Sequence, residues 1–174
     1  MNSEIKSSEE SIVYYRNIAS PVGRLLLAGQ PGVLEMIGFP EGKGIIYPAY
    51  NWIQDDSVFN EVEDQLNEYF EGERQQFDLK IKPSGTPFQL SVLETLQEIP
   101  YGKTTTYRTV AERIGRPKAF RAVGAANGRN PLPIVIPCHR VIGADGSLTG
   151  FSGGLPTKSF LLNLESACFS LACR

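Results

Sequence analysis

Cys138 sits in the run Asn130-Pro131-Leu132-Pro133-Ile134-Val135-Ile136-Pro137-Cys138-His139-Arg140-Val141. A thiolate is a strong nucleophile, and a polar, cationic neighbourhood such as that of Arg140 favours it, so this position suits a reactive thiol. His139 is the only histidine in the chain, which leaves one imidazole for general-base work. Read as extended backbone, the segment points adjacent side chains to opposite faces, so His139 is expected to reach the sulfur through a water or to be structural. The plainer alternative for Cys138 is a small buried hydrophobe behind the β-type run Ile134-Val135-Ile136. Cys168 and Cys173 complete a count of three cysteines. With His139 these make an arithmetic Cys3His set, but two of the four are adjacent and no CxxC pair occurs, so no metal is expected. The odd cysteine count also argues against a disulfide framework.

Charge divides along the chain. Residues 1–85 carry 7 basic and 14 acidic side chains, and residues 86–174 carry 10 basic and 5 acidic, within an overall net charge of -2. Between residues 101 and 140, Lys103, Arg108, Arg113, Arg116, Lys118, Arg121, Arg129 and Arg140 are opposed only by Glu112. Such a cluster suits a polyanion such as nucleic acid; charge alone equally allows a solvated basic face.

A chain of 174 residues, 41% hydrophobic and 21% charged, is long enough for one domain or two small ones and too apolar for global disorder. Its longest apolar runs fall far short of the roughly 20 residues that cross a bilayer, and the first residues lack a signal-peptide core. No membrane association and an intracellular location are therefore expected.

The elements that must position these residues can be read in order. Residues 11–19, 24–28 and 33–39 read as antiparallel strands separated by Ser20-Pro21-Val22-Gly23 and a glycine turn at 29–32. Val58, Val62, Leu66, Tyr69 and Phe70 mark a helix face ending before Gly72, and Phe77, Leu79 and Ile81 alternate as a short strand. Residues 82–85 form the expected linker, where the charge changes sign, dividing the chain into 1–85 and 86–174. In the second half Thr86, Pro87 and Gln89 spell a helix start over 87–98. Thr106 caps a helix ended by Gly115, and 118–127 forms another, together a helix-turn-helix pattern. Pro156 opens a last helix with Phe160, Leu161 and Leu164 facing inward and Glu165 near its end. The expected fold class is α+β: an N-terminal antiparallel sheet with a helix, then a mainly helical half.

Ile136-Pro137-Cys138-His139-Arg140-Val141 resembles the active-site signature of the O6-alkylguanine-DNA alkyltransferases, the methylated-DNA-protein-cysteine methyltransferases. The resemblance extends through Pro100-Tyr101-Gly102-Lys103-Thr104-Thr105-Thr106-Tyr107, Arg121-Ala122-Val123-Gly124-Ala125-Ala126, Gly150-Phe151-Ser152-Gly153-Gly154 and Leu161-Leu162-Asn163-Leu164-Glu165. The first half is more loosely similar, most visibly in Ser20-Pro21-Val22-Gly23-Arg24-Leu25-Leu26-Leu27-Ala28.

The resemblance implies a ribonuclease H-like first half and a second half that repairs DNA. Cys138 would take the alkyl group from O6 of guanine, and from O4 of thymine, once and irreversibly. His139 would act as base through a water, held by Glu165, and Tyr107 would donate toward N3 of the guanine. Arg121 would replace the flipped nucleotide, and the slim helix with Ala122 and Gly124 would enter the minor groove beside Tyr107, Arg108 and Arg116. Asn130 would be a hinge, and Pro133, Val141, Phe151 and Ser152 would line the base pocket, Val141 through its carbonyl and Ser152 through its N–H. The partner implied is double-stranded DNA containing O6-alkylguanine, met by a monomer without cofactor, in the cytoplasm or in a eukaryotic nucleus. Phe151 departs from the tyrosine of many members, and Asn127 from an apolar residue in some.

Overall fold

The computed structural model describes residues 12–172, the last of them, beyond residue 166, as backbone alone. The side chains of Cys168 and Cys173 lie outside the described residues. Strands β1 (Tyr14–Ile18), β2 (Leu25–Gln30) and β3 (Val33–Gly38) form an antiparallel meander. Leu25, Leu26, Leu27 and Ala28 are all buried, so β2 is covered on both faces and shows no polar alternation. A register shift follows at Gly29, where a Cβ would come within 2.3 Å of the Val33 carbonyl oxygen. Only glycine fits this bulge.

The expected α+β architecture is present, with one departure at the sheet edge. β4 (Ile53–Gln54) pairs with β1 in parallel, giving the order β3-β2-β1-β4. Two residues carry no alternation that a sequence pattern could reveal. The strand expected around Phe77, Leu79 and Ile81 reduces to a bridge, in which Leu34 N–H donates to the Lys80 carbonyl and Lys82 N–H to the Leu34 carbonyl, both at 2.9 Å.

Helix α1 (Asn60–Phe70) buries Val62, Leu66 and Tyr69, the stripe its spacing sets. In the second half, α2 (Pro87–Gln97) begins with a full capping box: Gln89 N–H donates to Thr86 Oγ1, and Thr86 N–H to Gln89 Oε1. Thr106 caps α3 (Tyr107–Arg113), and Gly115, at φ 71°, turns the chain out of it. α4 (Phe120–Asn127) starts two residues later than expected, because Ala119 N–H closes a turn on the Arg116 carbonyl after Pro117. β5 (Thr105–Thr106) and β6 (Val141–Ile142) pair in parallel, which ties the start of α3 to the chain just beyond Cys138. α5 (Gly154–Ala172) begins before Pro156 and runs well past Glu165, placing that carboxylate mid-helix rather than near an end. Leu161 faces inward, whereas Phe160 is 37% exposed.

One hydrophobic core runs from Leu27 and Leu34 through Tyr69 and Leu93 to Cys138 and Leu161. The two halves of the chain thus pack against each other, and first-half side chains can reach second-half chemistry.

Candidate active site

Two expectations about the cysteine segment are overturned. Residues 134–136 form a turn, not a strand: Ile134 has φ 75°, and Ile136 N–H donates back to the Leu132 carbonyl at 2.8 Å. Cys138 to Arg140 then forms a single 3-10 turn rather than extended backbone, with Arg140 N–H on the Pro137 carbonyl at 3.0 Å. The prolines on either side impose this tight path. Asn130 clamps it from within, donating through Nδ2 to the Ile136 carbonyl at 2.8 Å and accepting Leu132 N–H on Oδ1 at 3.0 Å. Asn127 Nδ2 reaches the Cys138 carbonyl at 3.4 Å.

Burial pushes the Cys138 thiol up to about 11, against the opposing pull of an Asn130 hydrogen bond and the positive charge of Lys158. The expectation that Arg140 would favour a resting thiolate therefore fails. Its guanidinium is committed elsewhere, donating Nε to Glu165 Oε2 and Nη2 to Oε1, each at 2.9 Å, and Nη1 to the Ile99 carbonyl at 2.6 Å. Cys138 rests as a buried thiol that needs a base.

His139 supplies one. Its Nε2 lies 2.8 Å from Glu165 Oε1, with both residues buried. Burial opposes ionisation of Glu165, but hydrogen bonds from His139 and Arg140 outweigh it and hold the carboxyl at about 2. An ionised carboxylate accepts only, so Nε2 carries the imidazole proton and Nδ1 the lone pair. Burial also holds the His139 pKa below its ordinary value, keeping the ring neutral. Nδ1 is buried without a protein hydrogen bond among the described residues. The result is a neutral base whose reactive nitrogen is uncommitted, oriented by a fixed anion.

Beside this lies a cavity of about 850 Å³ whose lining includes Tyr107, Arg121, Gly124, Phe151 and Ser152. Gly124 faces the Tyr107 ring, and a Cβ there would meet it in ordinary contact at 3.7 Å. Burial raises the pKa of Tyr107, so its hydroxyl stays protonated; it accepts from Thr149 Oγ1 at 3.1 Å. Phe151 packs edge-on against Phe39 at the end of β3, at 5.4 Å between centroids. Arg108, Arg116, Arg121 and Ala122 are exposed on α3, α4 and the turn between them. Pro133 and Val141 are buried and outside the cavity lining. Among the described residues, no group of three or more His, Cys, Asp and Glu is arranged for a metal.

The structure adds residues that sequence reasoning missed. Lys158 is fully buried, its ammonium donating to the carbonyls of Val141 at 2.6 Å and Thr149 at 2.8 Å. It joins the chain after Cys138 to the wall of the cavity. Phe120 carries the Arg108 and Arg121 guanidinium groups over its ring at 5.4 and 5.9 Å. Gly42 and Lys43, from the first half, also line the cavity. Nothing local in the sequence marks any of these residues.

A family model described as 6-O-methylguanine DNA methyltransferase, DNA binding domain, matches residues 87–167, and one for the ribonuclease-like domain of the same protein matches residues 13–83. The chain belongs to the 6-O-methylguanine DNA methyltransferase family. A relative within it, the methylated-DNA--protein-cysteine methyltransferase of Methanosarcina acetivorans, is 51% identical over 90% of this chain and 100% of its own. The Mycobacterium tuberculosis protein of that name is 46% identical over 90% of this chain and 94% of its own. Among solved family structures, M. tuberculosis O6-methylguanine methyltransferase superposes with a TM-score of 0.84 at 45% identity, covering 92% of this chain and 99% of that one. The M. tuberculosis OGT in complex with DNA gives 0.84 at 46% identity, covering 89% and 94%.

Proposed function

We propose that this protein repairs alkylated DNA by moving the alkyl group from O6 of guanine to its own Cys138. The observation that carries the reading is a buried thiol next in sequence to a neutral imidazole, itself oriented by an ionised Glu165; neither side chain lines the cavity, but the His139 ring lies edge-on to the wall residue Phe151 at 6.4 Å, and basic side chains stand at the cavity mouth. A cavity of about 850 Å³ lies within the range of pockets that bind small organic molecules, the size class of a nucleobase. A base stacked in a duplex cannot reach a buried sulfur, so the nucleotide must rotate out. Arg121, exposed at the cavity rim, takes its place in the stack. The slim face of α4, with Ala122 and Gly124, lies in the minor groove, and Arg108 and Arg116 neutralise phosphates.

His139 Nδ1 accepts the thiol proton through a water, and Glu165 stabilises the resulting cation. The sulfur attacks the alkyl carbon, so the S–C bond forms as the C–O6 bond breaks. Tyr107 donates a hydrogen bond to N3 of the departing guanine, and the proton held by His139 balances the charge of the leaving base. The product is a buried thioether that no group in the site can reverse, so each chain reacts once. Asn130 fixes the reacting turn; Pro133 packs beneath it, and Phe151 and Ser152 bound the base. No cofactor enters any step. O4-alkylthymine, a smaller base with the same kind of alkyl oxygen, fits as a second substrate. The cytoplasm is the proposed place of action.

The test is loss of O6-methylguanine from a duplex oligonucleotide, followed by nucleoside analysis. Stoichiometric loss with the native chain, and none with Cys138→Ser, is expected. Loss that persists in Cys138→Ser overturns the assignment. A protein that only binds damage would leave the base alkylated, and the presence of Cys138 argues against that reading.

A further inference from the structure

Glu165 is held from the other half of the chain. Tyr69, on α1, is fully buried and donates its hydroxyl to Glu165 Oε1 at 2.9 Å, across 96 positions of sequence. The same oxygen takes His139 Nε2 at 2.8 Å and Arg140 Nη2 at 2.9 Å, while Oε2 takes the Gly102 N–H at 3.0 Å. Tyr69 is thus the neutral side-chain donor that shares an oxygen with the imidazole. Its ring is fixed by Phe77, at 5.4 Å, and by an edge contact with Tyr101 at 6.1 Å, whose own face carries the Arg140 guanidinium at 5.6 Å.

We propose that Tyr69 is a positioning residue for alkyl transfer, tuning through Glu165 how strongly the carboxylate pulls on the His139 Nε2 proton. Each donor on Oε1 withdraws charge from that oxygen and weakens its other hydrogen bonds. Tyr69 therefore keeps the His139–Glu165 bond from becoming too strong and holds the carboxylate against rotation. Helix α1 becomes part of the reacting apparatus, acting on the basicity of His139 from outside the cavity that takes the base.

The inference rests on the reading of Cys138, His139 and Glu165 as the reacting relay, but its first test needs no substrate. Because His139 is the only histidine, histidine labelled with nitrogen-15 gives a single imidazole spectrum. In Tyr69→Phe, which keeps the ring in its packing, the Nε2 proton resonance should move downfield as the His139–Glu165 bond strengthens. Placing 3-fluorotyrosine at position 69 leaves the fold undisturbed and makes the phenol a stronger donor, so the same resonance should move upfield. Opposite shifts support the proposal. An unmoved resonance in the fluorinated protein, or shifts of the same sign in both, overturns it, whatever the alkyl-transfer activity proves to be. With the native chain active on O6-benzylguanine, the acid limb of the rate–pH profile should move to higher pH in Tyr69→Phe. A uniform loss of rate with an unmoved limb would mark Tyr69 as structural only.

Discussion

His139 Nε2 and Glu165 Oε1 meet at 2.8 Å with both side chains buried, and the pair sets the acid stability of the protein as well as its chemistry. Glu165 has its pKa lowered from 4.5 to about 2, so the unfolded chain binds a proton that the folded one refuses between those values. Its stabilisation, of about 3 kcal/mol, is complete above the unfolded pKa and is lost as pH falls toward about 2. His139, also lowered from its ordinary 6.5, acts in the same direction, beginning below that pH. Urea unfolding should show stability falling steadily below about pH 6.5, and more steeply below 4.5. A flat profile down to pH 3 would contradict the hydrogen-bond geometry around Glu165.

Glu165→Gln leaves Arg140 buried beside a neutral amide. Breaking a buried pair from one side costs about 3–5 kcal/mol, so this variant should unfold far more easily than the native chain. Arg140→Met removes the charge and its desolvation together with the partner, and the double variant should recover part of the loss. A denaturant series on the three variants checks this cycle.

Cys138 should behave as a poor nucleophile toward small reagents at neutral pH. With its thiol at about 11, the rate of carboxamidomethylation by iodoacetamide should rise across the alkaline range and not level off near the ordinary 9. Asn130→Ala removes a hydrogen bond that lowers the thiol pKa and should push it higher still. Measuring on a chain with Cys168 and Cys173 changed to Ser isolates the signal.

Lys158→Met keeps the apolar stem but strips the donors from the carbonyls of Val141 and Thr149. Leaving a buried carbonyl unpaired costs about 1–3 kcal/mol. A lower Tm and slower reaction with O6-benzylguanine are expected, with affinity for undamaged DNA unchanged. Unchanged Tm and rate would show that this link positions nothing.

Alkylation itself should destabilise the fold. Cys138 is 1% exposed and its turn is clamped by Asn130, so an added methyl group enters filled space. Overpacking of this kind costs about 1–3 kcal/mol. Thermal unfolding before and after reaction should show a lower Tm for the alkylated chain.

Much of this arrangement was legible in the sequence because its signals are local. The capping box Thr86–Gln89, the Thr106 cap, the stripe of α1 and the run around Cys138 each lie within a few residues of one another. The parallel pairing of β1 with Ile53 and Gln54 was not legible, since two residues have no periodicity. Nor was the 3-10 turn at Cys138, which depends on the left-handed Ile134 and on the Asn130 clamp. Tyr69 read only as a core aromatic, because its hydroxyl partner lies 96 positions away. Lys158 was hidden for the converse reason: a lysine reads as solvated until tertiary structure supplies the carbonyls that replace water. The direction of the Cys138 shift is not legible either, because sequence proximity to Arg140 says nothing of where that guanidinium points.

The most direct test is the intact mass of the protein after incubation with duplex DNA containing one O6-methylguanine. One methyl group should replace one thiol proton per chain, and peptide mapping should place it on Cys138, with no second addition however much DNA is supplied. An unchanged mass while the DNA is repaired, or a methyl group on any other residue, would contradict the account.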